Sequence, residues 1–305
     1  MSCDFIALAN QGVQKLSPYQ TGKPIDELKR ELGLDDIIKL ASNENPLGCS
    51  PLAMQAIQAE MSQIGRYPDG NGFNLKHAIQ QKFGFDINRM TLGNGSNDIL
   101  ELVARAFIAQ GQTAVYSQHA FAVYPLAVQA VGGVGIEVPA QNFAHDLEAM
   151  AAAIAANTKV VFIANPNNPT GTWFSRRVFE SFMAQVPESV LVVLDEAYVE
   201  YATDSHFMNG FDYVDKYPNL LVSRTFSKAY GLASLRVGYA IASPDVTNIL
   251  NRVRQPFNVN SFALAAAAAS LQDDEFVAQS RALNSTGMAQ LEAGLSALGL
   301  NYIPS

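Results

Sequence analysis

The sequence has few residues of several types, and each shortage excludes a class of protein. Its 305 residues include only two cysteines, Cys3 and Cys49, and four histidines without the spacing of metal ligands. A disulfide-stabilised scaffold and a thiolate metal site are therefore excluded, and we predict no metal. The formal net charge is −8. Because nucleic acids and anionic membranes attract clustered positive charge, neither is an expected partner.

Long apolar runs are also missing. No stretch reaches the roughly 18 uninterrupted apolar residues of a membrane-spanning helix, and the first ten residues lack the basic start and apolar core of a secretion signal. We therefore expect a cytoplasmic protein. Hydrophobic residues make up 49% of the chain and charged residues 16%, which is enough for one large core and a smaller second unit.

Apolar runs alternate with helical segments from residue 90 to about residue 256. This alternation is typical of an α/β fold in which a mainly parallel central sheet is flanked by helices. The clearest strands are predicted at 159–164, 190–194 and 220–222. Because the carboxyl ends of parallel strands lie at one edge of the sheet, the polar residues that follow these runs should lie close together.

Two of these strand ends carry amide and acidic side chains. The first is followed by Asn165-Pro-Asn-Asn-Pro-Thr-Gly171, which includes Asn168, and the second by Asp195-Glu-Ala-Tyr198. An acid directly after five apolar residues is unfavourable to bury unless a cation or a hydrogen-bond donor meets it. Ordinary turn residues and a helix N-cap are the alternatives.

The third strand leads to Ser227 and Lys228, with Arg236 eight positions after the lysine. Covalent chemistry of a lysine means a Schiff base with a carbonyl compound or with pyridoxal phosphate. For an isolated lysine, a solvated surface position is the more common explanation. The rest of the chain must therefore decide between the two.

A fourth strand end is rich in glycine. Met90-Thr-Leu-Gly-Asn-Gly-Ser-Asn-Asp98 leads into a helix, and Ser96 and Asn97 at the helix start suit a bound phosphate. A capped turn without any ligand is the alternative. The segment matches neither the G-x-G-x-x-G pattern nor the P-loop, which disfavours a nucleotide.

A lysine, an acid, a phenol, an amide and an anion cradle are the parts of a pyridoxal 5'-phosphate site. In this hypothesis Lys228 is the catalytic residue, which holds the cofactor and moves a proton, and Asp195 pairs with the pyridine N–H. The phenolic oxygen of the ring would be bound by Tyr198 and Asn168. The phosphate would be bound by Arg236, Ser227, Ser96 and Asn97.

In this order the motifs resemble the fold-type I pyridoxal-phosphate aminotransferases of the aspartate aminotransferase superfamily. Within it, Leu16-Ser-Pro-Tyr-Gln20, Ala41-Ser-Asn-Glu-Asn-Pro-Leu-Gly48 and Arg66-Tyr-Pro-Asp69 look most like the histidinol-phosphate aminotransferase family. The resemblance implies transamination between an amino donor, histidinol phosphate, and 2-oxoglutarate in histidine biosynthesis. An aromatic amino acid aminotransferase, a decarboxylase like that of threonine phosphate, and a non-catalytic binding protein remain alternatives.

The resemblance also implies contacts that the spacing does not give. Tyr67 would reach the cofactor phosphate of the neighbouring subunit, which makes a homodimer with shared active sites. Tyr19 and Asn45 would face the substrate. Phe121 would stack on the pyridine ring, where many relatives have tyrosine.

By the same resemblance, residues 1–47 form an N-terminal arm and part of the small domain, 48–258 the large cofactor-binding domain, and 259–305 the start of a C-terminal small domain. Family members continue beyond the position of Ser305 with a segment that carries a substrate-binding arginine. The last residues, 300–305, resemble the start of an unpaired strand. We therefore expect the chain to be a piece of a longer protein.

Overall fold

One seven-stranded sheet organises the fold in the computed structural model, which describes residues 3–18 and 22–305. The strands are β1 (Met90–Gly93), β2 (Thr113–Ser117), β3 (Val134–Val138), β4 (Thr158–Ala164), β5 (Leu191–Asp195), β6 (Leu220–Thr225) and β7 (Gly238–Ile241). Their order across the sheet is β1-β7-β6-β5-β4-β2-β3. Strands β2 to β6 pair in parallel, and β7 is antiparallel to both of its neighbours. The predicted mainly parallel α/β fold is confirmed.

Helices cover both faces of the sheet. Within the described residues the α-helices are α1 (Phe5–Leu8), α2 (Gln11–Gln14), α3 (Ile25–Leu32), α4 (Pro51–Glu60), α5 (Phe73–Phe83), α6 (Ser96–Phe107), α7 (Val123–Ala130), α8 (Leu147–Ala152), α9 (Arg176–Met183), α10 (Pro244–Val253), α11 (Ser261–Ser270) and α12 (Asp274–Ala297). None of the helices found in that part of the chain is long and apolar enough to cross a membrane.

The central strands are buried on both faces because their side chains point alternately to two cores. In β5, Val192 and Leu194 belong to the core shared with α5, α8, α9 and α11, whereas Leu191 and Val193 belong to the core shared with α6, α7 and α10. This two-sided burial explains why the strands are uninterrupted apolar runs. It also leaves only their ends free for polar side chains.

One sequence-based expectation differs from the structure. Residues 300–305 form no strand, although the apolar residues there suggest one. Helix α11 packs closely on this sheet core, because Ala263, Ala266 and Ala267 are fully buried together with Ala53 of α4 and Leu75 of α5. The short alanine side chains allow this close packing.

Candidate active site

A cleft opens at the carboxyl edge of the sheet, where the residues of the four predicted strand ends meet. Strands β4, β5 and β6 end there, and β7 begins there because it runs antiparallel to them. The reversed direction of β7 explains how Arg236, two residues before that strand, reaches the same edge. The cleft is lined by Ser96, Asn97, Phe121, Tyr124, Ala164, Pro166, Asn168, Asp195, Ala197, Tyr198, Thr225, Ser227, Lys228 and Arg236.

Lys228 is a half-buried amine at the centre of this cleft. Its Nζ donates a hydrogen bond of 3.0 Å to the carbonyl of Ser42 and lies 5.6 Å from the centre of the Tyr198 ring. Burial lowers the pKa of Lys228, and the positive charge of Arg236 lowers it further. A lowered pKa increases the fraction of free amine at neutral pH, which is the form that attacks a carbonyl carbon.

Asp195 is a buried carboxyl group in which one oxygen accepts a hydrogen bond and the other accepts none among the described residues. The Tyr124 hydroxyl donates a hydrogen bond of 3.0 Å to Oδ2, whereas Oδ1 is buried without a hydrogen-bond partner among the described residues. Burial raises the pKa of Asp195 to about 6, and the bond from Tyr124 opposes this rise. A buried acceptor without a partner is unfavourable, so Oδ1 is suited to receive a donor from a ligand.

Tyr124 is fixed by stacking on Phe162, with ring centres 5.0 Å apart and planes 11° apart. Tyr124 is not among the site residues predicted from the sequence, because most aromatic residues on such a helix are core residues. Its hydroxyl was the available signal, since a buried tyrosine hydroxyl usually has a hydrogen-bond partner.

Tyr124→Phe is expected to destabilise the protein by about 1–3 kcal/mol, because the buried carboxylate of Asp195 loses the hydrogen bond that Tyr124 donates. Urea unfolding at pH 8 measures this. Tyr116→Phe is the matched control: Tyr116 is 7% exposed, and its hydroxyl has no hydrogen bond within residues 3–18 and 22–305. Equal losses of stability in the two variants would contradict the importance of the Tyr124–Asp195 bond.

An anion cradle lies at the start of α6. Gly95 adopts φ +84°, and a Cβ atom added there would lie 2.6 Å from Nη2 of Arg236. The positive φ favours glycine here, and a side chain would have to displace the guanidinium from its place. Arg236 Nη1 donates to the Ser227 hydroxyl at 3.3 Å. Ser96 and Asn97 at the start of α6 line the same cleft as Arg236. No side chain among the described residues caps the N–H groups of this helix start, which suits a bound anion.

The asparagines that follow β4 divide into two structural groups. The Asn165 side chain donates to the carbonyl of Phe174 and accepts from its N–H. Asn167 donates to the carbonyl of His119 and to the hydroxyl of Thr170. These bonds hold the loop. Asn168 lines the cleft instead.

Glu196, next to Asp195, forms a fully buried ion pair with Arg224 that the sequence analysis did not identify. Nη2 of Arg224 lies 2.7 Å from Oε2 of Glu196, and the guanidinium carbon lies 3.5 Å from the centre of the Phe211 ring. The pair joins the ends of β5 and β6, which carry the predicted site residues. Its bonds therefore fix the spacing between Asp195 and the Lys228 loop.

Two of the predicted residues, Tyr67 and Asn45, do not line the cleft, and a third lies outside the described residues. Tyr67 is 84% exposed and stacks on Phe257, with ring centres 5.0 Å apart. Asn45 donates to the carbonyl of Ala229 and to the hydroxyl of Ser280, so its amide N–H groups are engaged within the chain. Tyr19 lies outside the described residues.

The residues of the cleft fit pyridoxal 5'-phosphate in their chemistry. The amine of Lys228 suits an aldehyde, the free Oδ1 of Asp195 suits a protonated ring nitrogen, and the cradle of α6 suits a dianionic phosphate. Phe121 is a part-buried wall of the same cleft and offers a flat apolar face.

Comparisons with known proteins agree with this chemistry. Residues 35–305 match the family described as aminotransferase class I and II. Histidinol-phosphate aminotransferase 2 of Pseudomonas aeruginosa is 65% identical over 99% of this chain and 82% of its own length, and that of Pseudomonas fluorescens Pf0-1 is 64% identical over 100% and 83%. The crystal structure of a histidinol-phosphate aminotransferase from Sinorhizobium meliloti in complex with pyridoxal-5'-phosphate superposes with a TM-score of 0.89 at 28% identity, over 96% of this chain and 79% of that one.

These likenesses cover nearly the whole chain and agree with one another. The chain therefore belongs to the class I and II aminotransferases, within their histidinol-phosphate aminotransferase family, and its cofactor is pyridoxal 5'-phosphate.

Proposed function

We propose that this protein transfers the amino group of histidinol phosphate to 2-oxoglutarate, giving imidazole acetol phosphate and glutamate in histidine biosynthesis. The observation that carries the proposal is the Lys228 amine in one cleft with the free Oδ1 of Asp195 and the anion cradle of α6. The choice of substrate is supported by relatives at 65% and 64% identity that are named for this reaction.

Lys228 would hold the cofactor and then move the proton of the substrate Cα. Two features of the chain support this role. Burial and Arg236 lower the pKa of Lys228, so the free amine is available as a base. Bound pyridoxal phosphate supplies an electron sink for the electrons of the broken Cα–H bond.

The other cleft residues would bind and orient the cofactor. Asp195 Oδ1 would accept a charge-assisted hydrogen bond from the protonated ring nitrogen, while Tyr124 donates to the other oxygen, Oδ2. Tyr198 and Asn168 would bind the phenolic oxygen. Phe121 would stack on the ring. The phosphate would be bound by Ser96, Asn97, Ser227 and Arg236.

A homodimer with shared sites is the second part of the proposal. Tyr67 is 84% exposed and lies outside the cleft of its own chain, which is consistent with a contact to the neighbouring subunit's phosphate. Its stacking on Phe257 gives the ring a defined position. Asn45 and Tyr19 as substrate contacts, the domain division and the cytoplasmic location stay predictions.

We expect histidinol phosphate to react with the bound cofactor with a second-order rate constant at least about tenfold above that of phenylalanine. The reason is that the two donors differ in a charged group as well as in the ring. The measurement is the change in cofactor absorbance after each donor is mixed with the cofactor-loaded protein, followed by its recovery with 2-oxoglutarate.

The same assay separates the alternatives. A faster reaction with phenylalanine would contradict the proposed substrate and favour an aromatic amino acid aminotransferase. Release of carbon dioxide from threonine phosphate, without recovery by 2-oxoglutarate, would favour the decarboxylase. No absorbance change with any amine would favour a non-catalytic binding protein.

A further inference from the structure

A residue from the N-terminal part of the chain contacts Tyr198 across 155 sequence positions. The side-chain nitrogen of Asn43 lies 3.0 Å from the Tyr198 hydroxyl oxygen. We propose that Asn43 is a positioning residue that sets the direction of the Tyr198 hydrogen bond, so that the phenol donates its proton into the cleft. The consequence for the cofactor rests on the proposed function, in which Tyr198 binds the phenolic oxygen of the ring.

The direction follows from the donor inventory of the two groups. An amide NH₂ can only donate, whereas a phenol carries one proton and can also accept. When the Tyr198 oxygen accepts from Asn43, its single proton is left for another acceptor. Since Tyr198 lines the cleft, that acceptor would be a ligand atom there. Burial raises the pKa of Tyr198, and the bond from Asn43 opposes this rise, which favours the phenol as a donor.

The backbone around Asn43 is held in an uncommon shape. Ser42 has φ +73° and Asn43 has φ +49°, so two consecutive residues with side chains adopt the left-handed conformation. This is unfavourable for most residues, although asparagine tolerates it best. Such a conformation persists only when the surrounding contacts fix it.

Two contacts to the cleft fix this segment. The Lys228 amine donates to the carbonyl of Ser42 at 3.0 Å, and Asn43 donates to Tyr198. An ion pair of 2.7 Å between Lys39 and Glu44 links the residues on either side of Ser42 and Asn43. The strained pair therefore places one amide against the phenol and one carbonyl against the lysine.

The expected consequence is electrostatic. A hydrogen bond donated to the phenolic oxygen of the cofactor stabilises its deprotonated form, which lowers the pH midpoint of the visible absorbance change of the bound cofactor. A change that turns the Tyr198 proton away from the cleft should raise that midpoint. It should also weaken cofactor binding.

Asn43→Asp tests the direction, because a carboxylate of nearly the same shape accepts from Tyr198 instead of donating to it. We expect the midpoint to rise by about half a pH unit to one pH unit, and the cofactor dissociation constant to rise about 2- to 10-fold. Asn43→Ala, which removes the donor without reversing the bond, should give a smaller rise. Absorbance titration and cofactor-binding fluorescence on the full chain measure both quantities.

The negative charge that Asn43→Asp introduces could raise the midpoint by itself, and the Tyr198→Phe background separates this effect. We expect Asn43→Asp to change the midpoint much less in Tyr198→Phe than in the parent. Equal changes in the two backgrounds, or an Asn43→Asp variant that titrates as the parent does, would overturn the inference. Borohydride reduction, which fixes the cofactor to its lysine, checks the proposed function separately: attachment at Lys228 with an unchanged midpoint refutes only the role of Asn43.

Discussion

Lys228→Ala is expected to remove covalent attachment of the cofactor and to lower turnover by at least about 10⁴-fold, since both the nucleophile and the proton-transfer group are lost. Lys228 is the lysine that lines the cleft, and Arg236 and burial favour its free amine. Borohydride reduction followed by mass spectrometry should show a cofactor-modified parent chain and an unmodified variant.

Lys228→Arg is the matched control for charge. It keeps a cation near Ser42 and Tyr198 but does not deprotonate at ordinary pH, so it cannot attack the cofactor aldehyde. We therefore expect the arginine variant to fail in the same way as the alanine variant. If Lys228 contributed only its positive charge, the arginine variant would stay active. A yellow, borohydride-sensitive Lys228→Ala protein would refute the assignment of Lys228.

The central strands of the sheet could be predicted from the sequence because they are buried on both faces. The runs predicted at 159–164, 190–194 and 220–222 correspond to β4, β5 and β6. Strand β7 was not predicted. Its four residues, Gly238–Ile241, are too few to show a period, and their pairing depends on β1, which lies about 150 residues away in the chain.

The residues that line the cleft could mostly be predicted, because each directly follows a buried strand or begins a helix there. The supporting contacts could not. Tyr124 meets Asp195 across 71 positions, and Arg224 meets Glu196 across 28. Such pairs depend on how helices and strands pack, which the sequence pattern around Tyr124 and Arg224 does not show.

The position of Asp195 has a cost in stability that a second substitution should show. Burial raises the pKa of Asp195 from 3.8 to about 6. Between these two pH values the folded protein keeps a proton that the unfolded chain releases, so this group makes the folded state less stable as pH rises through the window. Above about pH 6 the full cost applies, which is about 3 kcal/mol from the shift in pKa.

Asp195→Asn is therefore expected to have opposite effects on activity and stability. An amide carries no charge to pair with the ring nitrogen, so turnover should fall about 10²- to 10³-fold. The cofactor-free variant should be more stable than the parent at pH 8 by about 1–3 kcal/mol. The smaller value applies if the amide NH₂, which cannot accept a hydrogen bond, replaces an oxygen that did. This gain should shrink as pH falls from 6 to 4, where the parent carboxyl is protonated.

Urea unfolding of the cofactor-free proteins at pH 4.5, 6 and 8, together with turnover of the loaded proteins, measures both effects. Asp36→Asn is the matched control, because Asp36 is exposed and should change neither quantity. A variant less stable than the parent at pH 8 would contradict the burial cost, and parental turnover would contradict the role of Asp195. If both effects appear, the charge of the buried carboxylate supports the cofactor and lowers the stability of the folded chain at the same time.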